Sequence, residues 1–195
     1  MDNSGGRSSL PPIGVNARCT GRAERVPLKL NVLGSLTLDF RGGLDLGTRA
    51  GRSDGLVLEV RGFRMEADTS PATPGTGMLV TLSEAHAPLT ALSVLRPLPE
   101  GGAEMLIHLA LTLHVREKPH GDIVLELFMD PARHATLRAR GATAFPPVDQ
   151  HCTLQEPVLL YPRSRPHSRS ADDRIDTTAP AGELPAFGLT LNPRA

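Results

Sequence analysis

The sequence predicts an all-β fold, a single antiparallel β-barrel or β-sandwich flanked by disordered N- and C-terminal segments. The first observation is a pair of period-two runs, over 104–115 and 122–129. Met105, Ile107, Leu109, Leu111, Leu113 and Val115 share one parity, and Ile123, Leu125, Leu127 and Met129 do the same. Successive strand side chains point to opposite faces, so this alternation marks strands with one buried face. The second observation is the polar segment between the runs, where Pro119 and Gly121 suit a chain reversal. The third is that turn signals recur between short apolar runs while no stretch carries a convincing helical period. Together these place a long hairpin at the centre of one antiparallel domain over 17–161.

Taken in order, residues 1–16 are rich in Gly, Ser and Pro and read as a disordered lead. The first strand is expected over 26–40, where Leu28, Leu30, Val32, Leu36, Leu38 and Phe40 share one parity. Gly34 lies in that register, where a long strand can bend as at a barrel corner, and this tips the choice slightly from sandwich to barrel. Residues 41–55 carry Gly42, Gly43, Gly47, Gly51 and Gly55 and are expected to form a long mobile connection, long enough to act as a lid. Over 56–67 the apolar parity runs through Leu56, Leu58 and Val60, then switches to Phe63, Met65 and Ala67. A phase change of one residue at Gly62 predicts a β-bulge.

Residues 69–77 read as a Pro/Gly loop, 78–82 as a short strand, and 89–95 as a weaker one. After the central hairpin, Asp130-Pro131 suits either a helix cap or a turn. The alternation of His134, Thr136, Arg138 and Arg140 with Ala135, Leu137 and Ala139 favours a turn followed by a strand. Another strand is expected within 152–161, interrupted at Pro157 and therefore at a sheet edge. Residues 162–195 read as a mostly disordered tail, with 187–191 as a candidate terminal strand.

Composition narrows the function. The 195 residues carry a formal net charge of zero, which gives no electrostatic case for nucleic acid or an anionic membrane as partner. Aromatic residues make up 3%, with no Trp and Tyr161 the single Tyr, so stacking platforms for bases have little material. The first residues lack the basic and apolar regions of a secretory signal, and no run approaches the ~18 apolar residues of a membrane span. A cytoplasmic protein is expected, with Cys19 and Cys152 as free thiols. No phosphate-binding, dinucleotide, zincin, nucleophile-elbow, CxxC or EF-hand motif is present, and no cofactor is expected.

The polar face of the central hairpin holds the candidate ligand-binding residues: His108, Thr112, His114, Glu126 and Phe128, with Tyr161 from a later strand. A five-residue loop centred on Pro119 would set His114 opposite Val124, Thr112 opposite Glu126 and His108 opposite Asp130. Six residues of strand at about 3.3 Å each separate His108 from His114 by ~20 Å, so the pair cannot share a metal. A solvated polar sheet face is the commoner role for such residues. Leu106, Ala110, Val124 and Phe128 make that face partly apolar, however, which suggests a covering layer, a cavity or an oligomer contact. Two functions follow. One is a β-barrel or sandwich binding a small, mostly apolar ligand, in its sharper form a cofactor-independent isomerase or cyclase. The other is a structural or interaction module that forms a homo-oligomer through the hairpin's second face.

Overall fold

The computed structural model describes residues 10–51, 55–70, 77–85, 91–118, 121–163 and 175–194. The expected turn at Pro119 and the expected disorder over 1–9 and 164–174 fall outside these residues. All regular structure among the described residues is β, and no helix is long and apolar enough to cross a membrane. Three long strands come first: β1 (Asn16–Leu30), β2 (Gly34–Ala50) and β3 (Leu56–Asp68). They are followed by β4 (Met78–Glu84), β5 (Ser93–Pro97), β6 (Ala103–Leu109), β7 (Leu111–Glu117) and β8 (Ile123–Met129). The last are β9 (Ala135–Ala142), β10 (Gln150–Leu154), β11 (Val158–Tyr161), β12 (Gly182–Leu184) and β13 (Gly188–Pro193).

These form one antiparallel 13-stranded sheet that closes on itself twice. A first ring runs β1-β2-β3-β4-β7-β8-β11-β12 and returns to β1. A second runs β1-β2-β3-β5-β6-β9-β10-β13 and also returns to β1. The three long strands belong to both. On β1, residues 19–22 pair with β13 while Lys29 and Leu30 pair with β12. On β3, residues 56–58 pair with β5 while 64–68 pair with β4. Closure removes the unpaired edges that an open sheet would present. After β4 the chain visits the rings alternately: β5 and β6 in the second, β7 and β8 in the first, β9 and β10 in the second, β11 and β12 in the first, β13 in the second.

Several local readings change for identifiable reasons. The strand expected over 26–40 is the closed end of the β1–β2 hairpin, with a turn at 31–33 and Gly34 at φ 77°. Leu30 pairs with Gly34, so partner numbers sum to an even value and the inward parity carries straight across the turn. Alternation alone cannot distinguish such a hairpin from one bent strand. The glycine-rich stretch 41–55, read as a mobile lid, is mostly strand. Its Gly42 pairs with Gly21 on one side and Met65 on the other, and a Cβ there would stand 2.7 Å from the Met65 Cα. Glycine serves close backbone approach at the waist between the rings, not a loop.

The bulge at Gly62 is present: Asp45 pairs with Gly62 and Leu46 with Val60, leaving Arg61 as the extra residue. The long hairpin is not one hairpin. Its first run breaks at Ala110 into β6, which pairs with β5 and β9, and β7, which pairs with β4 and β8. The parity survives this break because both runs keep odd-numbered residues inward. Pro157 interrupts a run, as expected, but by separating β10 from β11 rather than by marking an edge. Within the expected tail, residues 175–194 carry β12 and β13.

Both ring interiors are filled by apolar side chains. Leu28, Phe40, Leu82, Leu113 and Leu127 are buried in the first, and Leu44, Met105, Ile107, Leu137 and Cys152 in the second. Each is at most 2% exposed, so no water-sized void adjoins them. These side chains come from odd-numbered positions on β6, β7 and β9 and from even-numbered positions on β2 and β4.

Candidate functional site

The crossings between the rings gather at one place and leave a cleft. Asp130 begins the β8–β9 crossing with a turn, its backbone oxygen accepting from the Arg133 N–H at 3.0 Å and its Oδ1 from the Ala132 N–H at 2.9 Å. Proline at 131 suits that turn because its φ is already fixed. The β10–β11 crossing, Gln155 to Pro157, is tied to β9 by the Gln155 N–H donating to the Thr136 carbonyl at 2.9 Å. The Ala85 N–H donates to the Ala110 carbonyl at 2.7 Å, joining the β4–β5 crossing to the β6–β7 crossing. Between the β8–β9 and β10–β11 crossings lies a cleft of about 470 Å³. Met129, Val158 and Leu159 supply apolar wall, and Thr136, His134 and Tyr161 supply polar groups. An Arg133–Glu156 ion pair at 3.6 Å, exposed to solvent, links the two crossings.

The structure divides the sequence-predicted residues among three places. Tyr161 lines the cleft. Phe128 pairs with Tyr161 across β8–β11, and Thr112 pairs with Phe128 across β7–β8, so the three form one row on the outer face. Thr112 and Phe128 are buried, and the Arg163 guanidinium lies 4.5 Å from the Phe128 ring centroid. The cation covers the Phe128 ring, one of the apolar groups on this side of the hairpin.

His114 and Glu126 are directly opposed, two positions away from the expected register, and a bulge between Val115 and Arg116 accounts for one of the two. Their side chains meet at 2.8 Å, and Arg163 approaches the second carboxylate oxygen at 3.8 Å. His108 stands apart from both groups. Its expected partner Asp130 belongs to the other ring's crossing, and its observed partner is Thr136, opposite it on β9.

His108 Nδ1 lies 3.0 Å from Thr136 Oγ1, and its ring meets that of His134 edge-on, with centroids 4.4 Å apart. The His108 backbone N–H donates to Ser93 Oγ at 2.8 Å. Burial, with a smaller contribution from His134, holds the His108 imidazole below the usual histidine pKa and therefore favours its neutral form. Thr136 and His134 line the cleft and His108 sits behind them.

The sequence reading missed this grouping. The outward alternation of His134 and Thr136 was legible, but their meeting with His108 requires β6 to pair with β9, which nothing local signals. Chemically, the cleft combines apolar side chains with Thr136, backed by the His108 imidazole, and with Tyr161.

This is a twice-closed all-β fold with a junction cleft. No family model and no curated protein sequence matches the chain. Among solved structures, it is similar to DynF from the dynemicin biosynthesis pathway of Micromonospora chersina. The two share 13% sequence identity with a TM-score of 0.62, over 95% of this chain and 82% of that one. At that identity the likeness is one of fold.

Proposed function

We propose that the protein binds a small, mostly apolar molecule in the junction cleft. The carrying observation is the cleft itself: its volume of about 470 Å³ fits a small ligand, and its lining mixes apolar side chains such as Met129, Val158 and Leu159 with polar ones such as Thr136, His134 and Tyr161. The fold shared with a protein of the dynemicin biosynthesis pathway agrees with this reading. In its sharper form the cleft belongs to a cofactor-independent isomerase or cyclase, holding its substrate in a reactive conformation against Thr136, His134 and Tyr161.

The test uses a feature of the composition. The chain has one Tyr and no Trp, so its tyrosine emission reports on Tyr161 alone. Titration with apolar aromatic compounds is expected to quench that emission saturably. Leu159→Glu places a charge in the half-buried wall and is expected to weaken binding at least about tenfold, the equivalent of 1.4 kcal/mol. Unchanged affinity in Leu159→Glu rules the cleft out.

The competing reading, self-association through the hairpin's second face, has its own observation: Ile123 and Val124 on β8 are 47% and 50% exposed. Light scattering decides it, since a monomer at high concentration removes that reading.

A further inference from the structure

We propose that Thr136 and His108 form a nucleophile–base pair that makes the cleft an acyl-transfer site. The proposal rests on the cleft being the ligand site and adds the reaction and the residues that perform it. Three observations support it. Thr136 lines the cleft, so a bound molecule meets that residue. His108 Nδ1 stands 3.0 Å from Thr136 Oγ1, within the reach that proton transfer from a hydroxyl nucleophile requires. The edge of the His134 ring packs against the imidazole, and Ser93 accepts from the His108 backbone N–H, which ties down the strand that carries it. Burial keeps it neutral, the form that accepts a proton. With the ring hydrogen on Nε2, Nδ1 is free to accept the Thr136 O–H.

The substrate class is an ester or thioester of an apolar acid. In the first half-reaction Thr136 Oγ bonds to the acyl carbon as its proton passes to His108. The carbonyl electrons move onto oxygen, in a cleft that Tyr161 and Arg133 also line. Those electrons return as the bond to the leaving alcohol or thiol breaks, and His108 gives that group the proton. In the second half-reaction a hydroxyl from water or an acceptor loses its proton to His108 and bonds to the acyl carbon. The Thr136 oxygen then departs and recovers its proton. No oxidant or cofactor enters the balance. An acceptor hydroxyl on the same acyl chain closes a ring, so a cyclase is a special case. His134, which touches the base and lines the cleft, is a positioning residue.

The experiment treats the full chain with 4-nitrophenyl hexanoate. The expected result is a rapid release of nitrophenolate equivalent to the protein present, with one hexanoyl group mapped to Thr136 by peptide mass spectrometry. Thr136→Val keeps the side-chain shape and is expected to abolish the adduct, while Thr136→Ser retains it. His108→Gln is expected to slow acylation by about 100-fold or more, the range general-base catalysis covers. In parallel, 4-nitrophenyl hexyl ether, which has no acyl carbon, is titrated against Tyr161 emission on every variant. Quenching by the ether with no hexanoyl on Thr136, or with the group on His134 or a lysine, overturns the acyl-transfer pair and leaves the binding cleft standing. No quenching by the ether overturns the cleft reading and this proposal with it. Equal acylation of Thr136 in His108→Gln overturns the role of the base.

Discussion

The glycine waist gives the sharpest test of the two-ring architecture. Consider Gly42→Ala. A Cβ at this position would lie 2.7 Å from the Met65 Cα and 2.8 Å from the Arg64 carbonyl carbon, with the Arg64 carbonyl oxygen closer still. Carbon atoms in ordinary contact sit about 3.5–4.0 Å apart, so β2 and β3 must separate by roughly 1 Å where they pass between rings. These obstacles are backbone atoms that cannot swing aside as a flexible side chain can. Forced overpacking costs about 1–3 kcal/mol, and each weakened ladder hydrogen bond about 1 kcal/mol more.

A loss of about 3 kcal/mol lowers the melting temperature by about 6–12 °C in a chain of this size. Gly62→Ala on the neighbouring strand is the control, because a Cβ there meets nothing within 4 Å. Its effect is expected within about 0.5 kcal/mol. Both variants stiffen the unfolded chain alike, so the comparison isolates the close approach. Thermal unfolding followed by circular dichroism measures both. If Gly42→Ala melts within about 2 °C of Gly62→Ala, the strands do not approach as described and the account of the waist is wrong.

Two further outcomes concern stability. Leu113→Ala in the first ring and Leu137→Ala in the second remove fully buried side chains, and each is expected to cost about 2–5 kcal/mol. Because β1, β2 and β3 belong to both rings, each variant is expected to unfold in one denaturant transition; separate transitions would show that the rings are independent. Burial pushes the Cys19 thiol up to about 11 and the Cys152 thiol up to about 12. Both are free and buried, so a thiol reagent at neutral pH is expected to label neither in the folded protein and both after unfolding. Since the folded values lie above the ordinary 9.0, the thiols' contribution to stability is intact below about pH 9 and is lost as pH rises toward 12. A midpoint in urea that does not fall across that range would contradict the burial.

The sequence by itself determined the fold class. Period-two alternation in Met105 to Val115 and in Ile123 to Met129 names strands because the pleat fixes side-chain direction locally, whatever the strand's partner. The phase change at Gly62 disclosed a bulge for the same reason. Tyr161, legible as a single polar-tipped aromatic, proved to line the cleft.

What only the tertiary structure decided is partnership. Parity runs unbroken through the turn at Gly34 and through the break at Ala110, so nothing in the alternation shows that one run is a hairpin and the other spans two rings. Glycines that serve close packing at 42 and mobile loops elsewhere have the same composition; the distinction lies in the backbone of β3 across the sheet. His108 meets Thr136 because β6 pairs with β9, a contact between residues 28 apart in the chain. Such pairings are chosen by the closure of the whole sheet around two filled interiors, and a local pattern holds no record of which distant strand completes the ring.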